Sequence, residues 1–131
     1  MKKILLSALI VPAFLISISA YAQTPIKQSN VCGKKWYLEK IKDAEGVITK
    51  PDKSSAKDYV LYKCDGSYED IDLVRTTTGQ WTLDEATGIV TVNQDQGNAF
   101  TTHITRADGA HLTIEEKDAN GATTTLMFKT K

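Results

Sequence analysis

The chain has 131 residues, with 16 basic and 16 acidic side chains and a formal net charge of zero at pH 7. Residues 1–22 carry two of the lysines and no acid, so the remainder has 14 basic and 16 acidic residues, a balance of −2. This balance excludes the strongly basic surface with which proteins bind nucleic acids or anionic membranes. The length suits one domain with one modest core.

The N-terminus has the three parts of a secretory signal. A basic start, Met-Lys-Lys at residues 1–3, precedes a mainly apolar run at residues 4–18, and Ala-Tyr-Ala follows at residues 20–22. These features predict a signal peptide over residues 1–22, removed after Ala22. The alternative, a membrane anchor, needs about 20 apolar residues, which is more than this run supplies. We therefore predict a bacterial periplasmic or secreted protein with no transmembrane anchor after cleavage.

Residues 23–32 are largely polar and predict a flexible lead-in to one domain at residues 33–131. Cys32 and Cys64 are the only cysteines of the chain, and an exported pair is oxidised by default. Cys32 precedes the first predicted strand and Cys64 ends the second, and antiparallel pairing brings these two positions together. Because neither a C-x-x-C spacing nor a neighbouring histidine suggests redox or metal chemistry, we predict a structural disulfide.

Eight short runs rich in strand-forming residues follow, and turn-forming residues separate almost every neighbouring pair. Alternating apolar and polar side chains within the runs are typical of strands that bury one face. The predicted strands are residues 35–42, 58–64, 67–74, 80–83, 89–92, 99–106, 111–116 and 123–129. Most connections are short, so sequential strands are expected to pair as a meander. We predict an all-β, eight-stranded antiparallel up-and-down barrel, with a two-sheet sandwich as the alternative.

Three turns are marked by pairs that end in glycine, namely Asp65-Gly66, Asp108-Gly109 and Asn120-Gly121. The first pair predicts a type I′ hairpin turn, which needs positive φ at both central residues. Residues 75–79 are predicted to turn the chain before the strand at 80–83. In the last hairpin, a loop one residue longer than the Asn-Gly pair places Ile114 opposite Phe128, which suits the alternation best.

Six aromatic side chains are predicted near the barrel interior and are the candidate ligand-binding residues: Trp36, Tyr62, Tyr68, Trp81, Phe100 and Phe128. Inside a small barrel, such side chains either line an apolar pocket for a ligand or fill the space themselves. Because a domain of this length leaves little spare volume, we expect a filled interior, with an open pocket as the alternative.

Catalytic and metal-binding constellations are missing from the sequence. The only histidines are His103 and His111, which lie several positions apart along their predicted hairpin, and a zinc site needs at least three converging ligands. Asp70 and Asp72 share a strand face, but no calcium-binding loop surrounds them. We therefore predict that the protein is not an enzyme and uses no metal or cofactor.

A series of short motifs runs through the domain: Gly33-x-x-Trp36-x-Leu38, Tyr62-x-x-Asp65-Gly66-x-Tyr68, Gly79-x-Trp81-x-Leu83 and Leu112-x-Ile114, before a Thr-rich last strand that ends in lysine. This order resembles the small exported lipocalin-like domains of bacteria, and the resemblance covers nearly all of the chain after residue 22. It implies a lipocalin-like barrel that holds a small apolar ligand at one open end.

An alternative function is interaction with a protein, because small exported barrels with one disulfide also resemble periplasmic inhibitors of proteases or lysozyme. The connection from Asp43 to Lys57 is the longest in the predicted barrel and also carries Lys50 and Lys53. A long loop among tight hairpins is where a lid or a partner contact is expected, although a solvated charged loop is the simpler interpretation. In this alternative, the loop contacts the partner and the barrel is packed.

Overall fold

The computed structural model describes residues 24–131, which form nine β-strands and two short 3-10 helices, Gln28–Asn30 and Lys53–Ser55. The strands are β1 (Lys35–Lys42), β2 (Ile48–Thr49), β3 (Tyr59–Tyr62), β4 (Ser67–Ile71), β5 (Thr76–Asp84), β6 (Ile89–Gln94), β7 (Phe100–Ala107), β8 (His111–Lys117) and β9 (Thr123–Lys129). The predicted signal peptide lies outside the described residues. Within residues 24–131, no helix has the length and hydropathy of a membrane span.

The sheet closes on itself. From β3 to β9 each strand pairs antiparallel with the next, and β1 pairs with both β3 and β9. The closed barrel therefore has eight strands, which confirms the predicted fold class and excludes the sandwich. The extra strand β2 was not predicted; it pairs only with the end of β1, at Ile41 and Lys42.

Alternation along each strand separates the interior of the barrel from its outer surface. In β5, for example, the buried Gly79 and Trp81 alternate with the exposed Thr78, Gln80 and Thr82. Burial of a large apolar side chain contributes roughly 1.5–3 kcal/mol relative to exposure. The core consists of Ile26, Val31, Trp36, Tyr62, Tyr68, Trp81, Val90, Val92, Ile104, Leu112, Ile114 and Phe128.

The first Asp-Gly hairpin differs from the predicted type I′ turn. The Gly66 N–H donates to the Lys63 carbonyl (3.0 Å), and the Lys63 N–H donates to the Ser67 carbonyl (2.9 Å). Gly66 has a φ of +95°, whereas no residue other than glycine has positive φ among those described. Asp65 therefore does not take the conformation that type I′ requires, and the loop has one more residue and ends in a glycine bulge.

The register predicted for the last hairpin is wrong. Ile114 lies opposite Leu126, whereas the prediction set it against Phe128. The loop is one residue longer than the Asn-Gly pair, as predicted, but the additional residue is Ala119, because the Asp118 N–H donates to the Ala122 carbonyl (3.0 Å). The Asp118 carboxylate also accepts hydrogen bonds from two backbone N–H groups of this hairpin (2.9 and 3.0 Å), which stabilises the loop.

The turn predicted at residues 75–79 is also wrong, since β5 already begins at Thr76. The chain instead turns just before that strand. The Asp72 Oδ1 atom accepts hydrogen bonds from the N–H groups of Val74 and Arg75, each at 2.8 Å. Because Asp72 caps this turn, β4 ends at Ile71, whereas the predicted strand extended to residue 74.

The segment before the barrel was expected to be flexible, but its described part is packed across one end of the barrel. Ile26 and Val31 are buried, and the Ile26 N–H donates to the Glu85 carbonyl (2.8 Å). Cys32 and Cys64 form the predicted disulfide, with their Cα atoms 5.0 Å apart. The segment therefore closes the end of the barrel at which β1 starts and β3 ends.

Candidate functional site

The half of the interior next to the disulfide is filled by side chains. Trp36 is fully buried, and its Nε1–H donates to the Val31 carbonyl (2.8 Å). The Trp81 Nε1–H likewise donates to the Lys63 carbonyl (2.8 Å). Both indole rings therefore bury their apolar surface without leaving a polar atom unpaired. The expectation of a filled interior holds for this half.

A cavity of about 480 Å³ occupies the other half and opens at the opposite end of the barrel. Its inner wall is aromatic and aliphatic, and includes Trp36, Tyr62, Tyr68, Ile114 and Phe128. Its mouth is polar and includes Asp58, Asp70, Asp72, Arg75 and Glu116. The alternative of an open pocket therefore describes this half.

Five of the six predicted aromatic residues line this cavity: Trp36, Tyr62, Tyr68, Phe100 and Phe128. Phe100 lies at the mouth, where 37% of its surface is exposed, and its ring packs edge-to-face with that of Tyr68, with 6.4 Å between the ring centres. Trp81 does not line the cavity, because it lies in the filled half. There it packs edge-to-face with Tyr62, with 5.1 Å between the ring centres. A role in ligand binding stays a prediction for all six.

The position of the acids follows from strand direction. In an antiparallel barrel, the end of one strand and the start of the next meet at the same rim. Asp58 immediately precedes β3, Asp70 lies near the end of β4 and Glu116 near the end of β8. All three lie in phase with inward-facing residues of their strands, so all three reach the mouth of the cavity.

Burial controls the protonation of the tyrosines and of one acid in the wall. Burial raises the pKa of the Tyr62 and Tyr68 hydroxyls well above the ordinary range, so both are neutral donors at physiological pH. Burial also raises the pKa of Asp70, and the negative charge of Asp72 raises it further. The Tyr68 hydroxyl donates to the Asp70 carboxylate at 3.4 Å, which opposes this rise.

One polar atom in the cavity wall has no partner. Thr102 is 92% buried within β7 and lines the cavity beside the aromatic residues. Its Oγ1 atom is sealed from solvent and makes no hydrogen bond with any residue of the described chain. Alternation along β7 places Thr102 on the same strand face as the buried Ile104, but only the structure identifies its unpaired hydroxyl.

The histidines lie outside this site. The His103 Nδ1 atom lies 3.8 Å from the Glu115 carboxylate, and His111 Nδ1 lies 3.6 Å from Asp108. Neither histidine lines the cavity. Within the part of the chain that the structure describes, no three His, Cys, Asp or Glu side chains converge as metal ligands would.

The long connection from Asp43 to Lys57 does not cover the cavity. It contains β2 and the helix Lys53–Ser55, and its end lies against the outer surface of β1 and β9. There it forms a separate groove of about 420 Å³ that includes Tyr37, Lys50, Lys53 and Lys131. Leu38 lines both the groove and the cavity. The loop therefore does not act as a lid in this conformation.

No protein-family model matches this chain, and no curated protein is similar to it in sequence.

Proposed function

We propose that this protein is an exported lipocalin-like binding protein that holds one small, largely apolar molecule in the open half of its barrel and has no catalytic activity. The cavity of about 480 Å³ carries this proposal. Ligand sites of this kind typically have volumes of roughly 300–1,000 Å³, apolar and aromatic walls, and a few polar groups. The disulfide supports an oxidising compartment, as the predicted signal peptide does.

The surroundings of the mouth support entry of an apolar molecule. The turn between β4 and β5 exposes Leu73 and Val74, with 73% and 89% of their surfaces accessible. These residues lie between Asp72 and Arg75, which line the cavity. Exposed apolar side chains that adjoin an aromatic-lined opening are typical of ligand-binding surfaces.

Binding is tested by titrating the mature protein with the neutral apolar dye N-phenyl-1-naphthylamine. Leu126 lines the cavity and is half-buried, so Leu126→Trp should obstruct the cavity and weaken dye binding by about tenfold or more, equivalent to roughly 1.4 kcal/mol. The control is Thr125→Trp, on the opposite face of β9, which should bind the dye as the wild type does. If the wild-type protein does not bind the dye, or both variants bind equally well, the proposal is refuted.

The two tryptophans provide an internal check, because only Trp36 lines the cavity. An intrinsic fluorescence change on ligand addition should persist in Trp81→Phe and disappear in Trp36→Phe. The opposite pattern would place the ligand outside the proposed site.

A second candidate function, interaction with a protein, is favoured by the edge of the sheet at β2. This strand is the end member of the sheet order, and Val47 and Ile48 are each 56% exposed. An exposed strand edge is a template for pairing with another chain. Val47→Lys combined with Ile48→Lys should abolish capture of such a partner and leave dye binding unchanged. Unchanged capture by this double variant would remove β2 from consideration.

A further inference from the structure

We propose that the molecule bound in this cavity is an organic cation, with a protonated amine attached to an apolar body. This inference rests on the proposed function, because it names the chemical class of the ligand for the same site. Three features of the cavity lead to it: the charges at the mouth, the aromatic wall and the unpaired hydroxyl of Thr102.

The mouth has an excess of negative charge. Among the described residues, four carboxylates line the cavity (Asp58, Asp70, Asp72 and Glu116), whereas Arg75 supplies the lone cationic group. The ion pairs formed within residues 24–131 include none of the four acids. A ligand cation would therefore meet carboxylates whose charge no protein cation neutralises by direct contact, and the partly buried position of Asp70 reduces screening by solvent.

The wall below the mouth also favours positive charge. The faces of aromatic rings carry partial negative charge, and the Tyr68 ring, whose hydroxyl lies 3.4 Å from the Asp70 carboxylate, would attract a cation within about 6 Å of its centre. The outer surface of this barrel already shows the interaction, since the Lys131 ammonium lies 4.2 Å from the centre of the Tyr37 ring. An apolar body can occupy the inner cavity while its ammonium group remains beside the carboxylates.

Thr102 provides an independent observation, because its hydroxyl is buried in the cavity wall and has no hydrogen-bond partner. A buried polar atom without a partner is costly, and native proteins rarely retain one without a reason. Because Thr102 lines the cavity, rotation of its side chain would bring this oxygen to the cavity, where a primary ammonium group can donate an N–H to it and a hydrocarbon cannot. The observation therefore favours a ligand with a polar donor on an apolar body.

Two other ligand classes fit less well. Within the described residues, the acids at the mouth do not converge as metal ligands, so they suit a metal ion poorly, whereas an ammonium group needs no such fixed set of ligands. A fatty acid would bring a carboxylate to a mouth that already has four, and like charges repel. The charge of the ligand should therefore decide its affinity among molecules with the same body.

The test compares three ligands that share a naphthalene ring: 1-naphthylmethylammonium, 1-naphthylmethanol and 1-naphthoate, each titrated by calorimetry at pH 7. We expect the ammonium compound to bind at least about tenfold more tightly than the alcohol, and the carboxylate to bind most weakly. Equal or tighter binding of the alcohol would overturn the inference while leaving the proposed function intact. Failure of all three to bind, together with failure of the neutral dye, would overturn both.

Variants assign the charge preference to the mouth. Glu116→Gln and Asp70→Asn should each reduce affinity for the ammonium compound by about tenfold, a loss of roughly 1.4 kcal/mol, and leave affinity for the alcohol unchanged. The matched control is Glu45→Gln, at an exposed position that does not line the cavity. If Glu45→Gln weakens ammonium binding as much as Glu116→Gln does, the preference reflects overall charge, and the inference fails.

Discussion

Thr102→Val should stabilise the ligand-free protein, because it removes the unpaired hydroxyl and keeps the shape of the side chain. Thr102 Oγ1 is sealed from solvent and unpaired within the described chain, and burial of a hydroxyl without a partner costs about 1–3 kcal/mol. The substitution should raise the free energy of unfolding by about 1–2 kcal/mol, and the Tm by roughly 5–10 °C for a domain of this size.

The assay is thermal and urea unfolding of the oxidised protein, followed by circular dichroism. Thr101→Val is the matched control, because Thr101 is the exposed neighbour of Thr102 in the same strand, and surface substitutions usually change stability by less than about 0.5 kcal/mol. If Thr102→Val lowers stability, or stabilises no more than Thr101→Val, the reasoning is refuted, because the hydroxyl would then have a stabilising partner in solution.

Three further substitutions test the packing and the charges of the barrel. Replacement of Cys32 and Cys64 by serine should lower the free energy of unfolding by about 3–4 kcal/mol, because the disulfide joins two residues that are 32 positions apart in the sequence. Urea unfolding of the two proteins measures this difference. Asp70→Asn should raise stability at pH 7, and the gain should vanish as pH falls, because the raised pKa of Asp70 means that the fold disfavours its ionised form; unfolding at a series of pH values measures this. Gly88→Ala should cost about 2–4 kcal/mol, since its Cβ would meet a backbone oxygen of β7 and its φ is +78°. Gly46→Ala is its control, because a Cβ at Gly46 meets no atom, although φ there is also positive.

Each of these predictions has a contradicting result. If the free energy of unfolding is the same with and without the Cys32–Cys64 disulfide, the disulfide does not stabilise the packing of the segment before β1. The protonated Asp70 carboxyl contributes to stability, and this contribution is lost as the pH rises through its raised pKa. The ionised group therefore destabilises the fold at pH 7, and an Asp70→Asn variant that is less stable than the wild type at this pH contradicts the assignment. Equal losses at Gly88 and Gly46 would mean that backbone conformation, and not the close approach to β7, limits substitution.

Alternation of side chains made most of the barrel predictable. The predicted bounds of β1 and β9 agree with the structure, and Trp36 is fully buried on the inward face, as predicted. The disulfide was predictable because one cysteine precedes a strand and the other follows its antiparallel neighbour. These features depend on local periodicity and on the pairing of adjacent strands.

Features that depend on loop hydrogen bonds or on distant strands were not predictable in this way. The register of β8 and β9 depends on the carboxylate of Asp118, which caps the connecting loop. β2 has only two residues, too few for a periodic pattern. The acidic mouth required knowledge of which strand ends share a rim, because Asp58 and Glu116 are distant in sequence and meet only in the closed barrel.

The most direct test of ligand binding in the open half of the barrel is a map of backbone amide chemical shifts during titration with 1-naphthylmethylammonium. We expect the largest changes at residues of the cavity, such as Tyr68, Thr102 and Glu116, and little change at Val90 in the filled half. Changes confined to the loop from Asp43 to Lys57, or none at saturating ligand, would contradict the account.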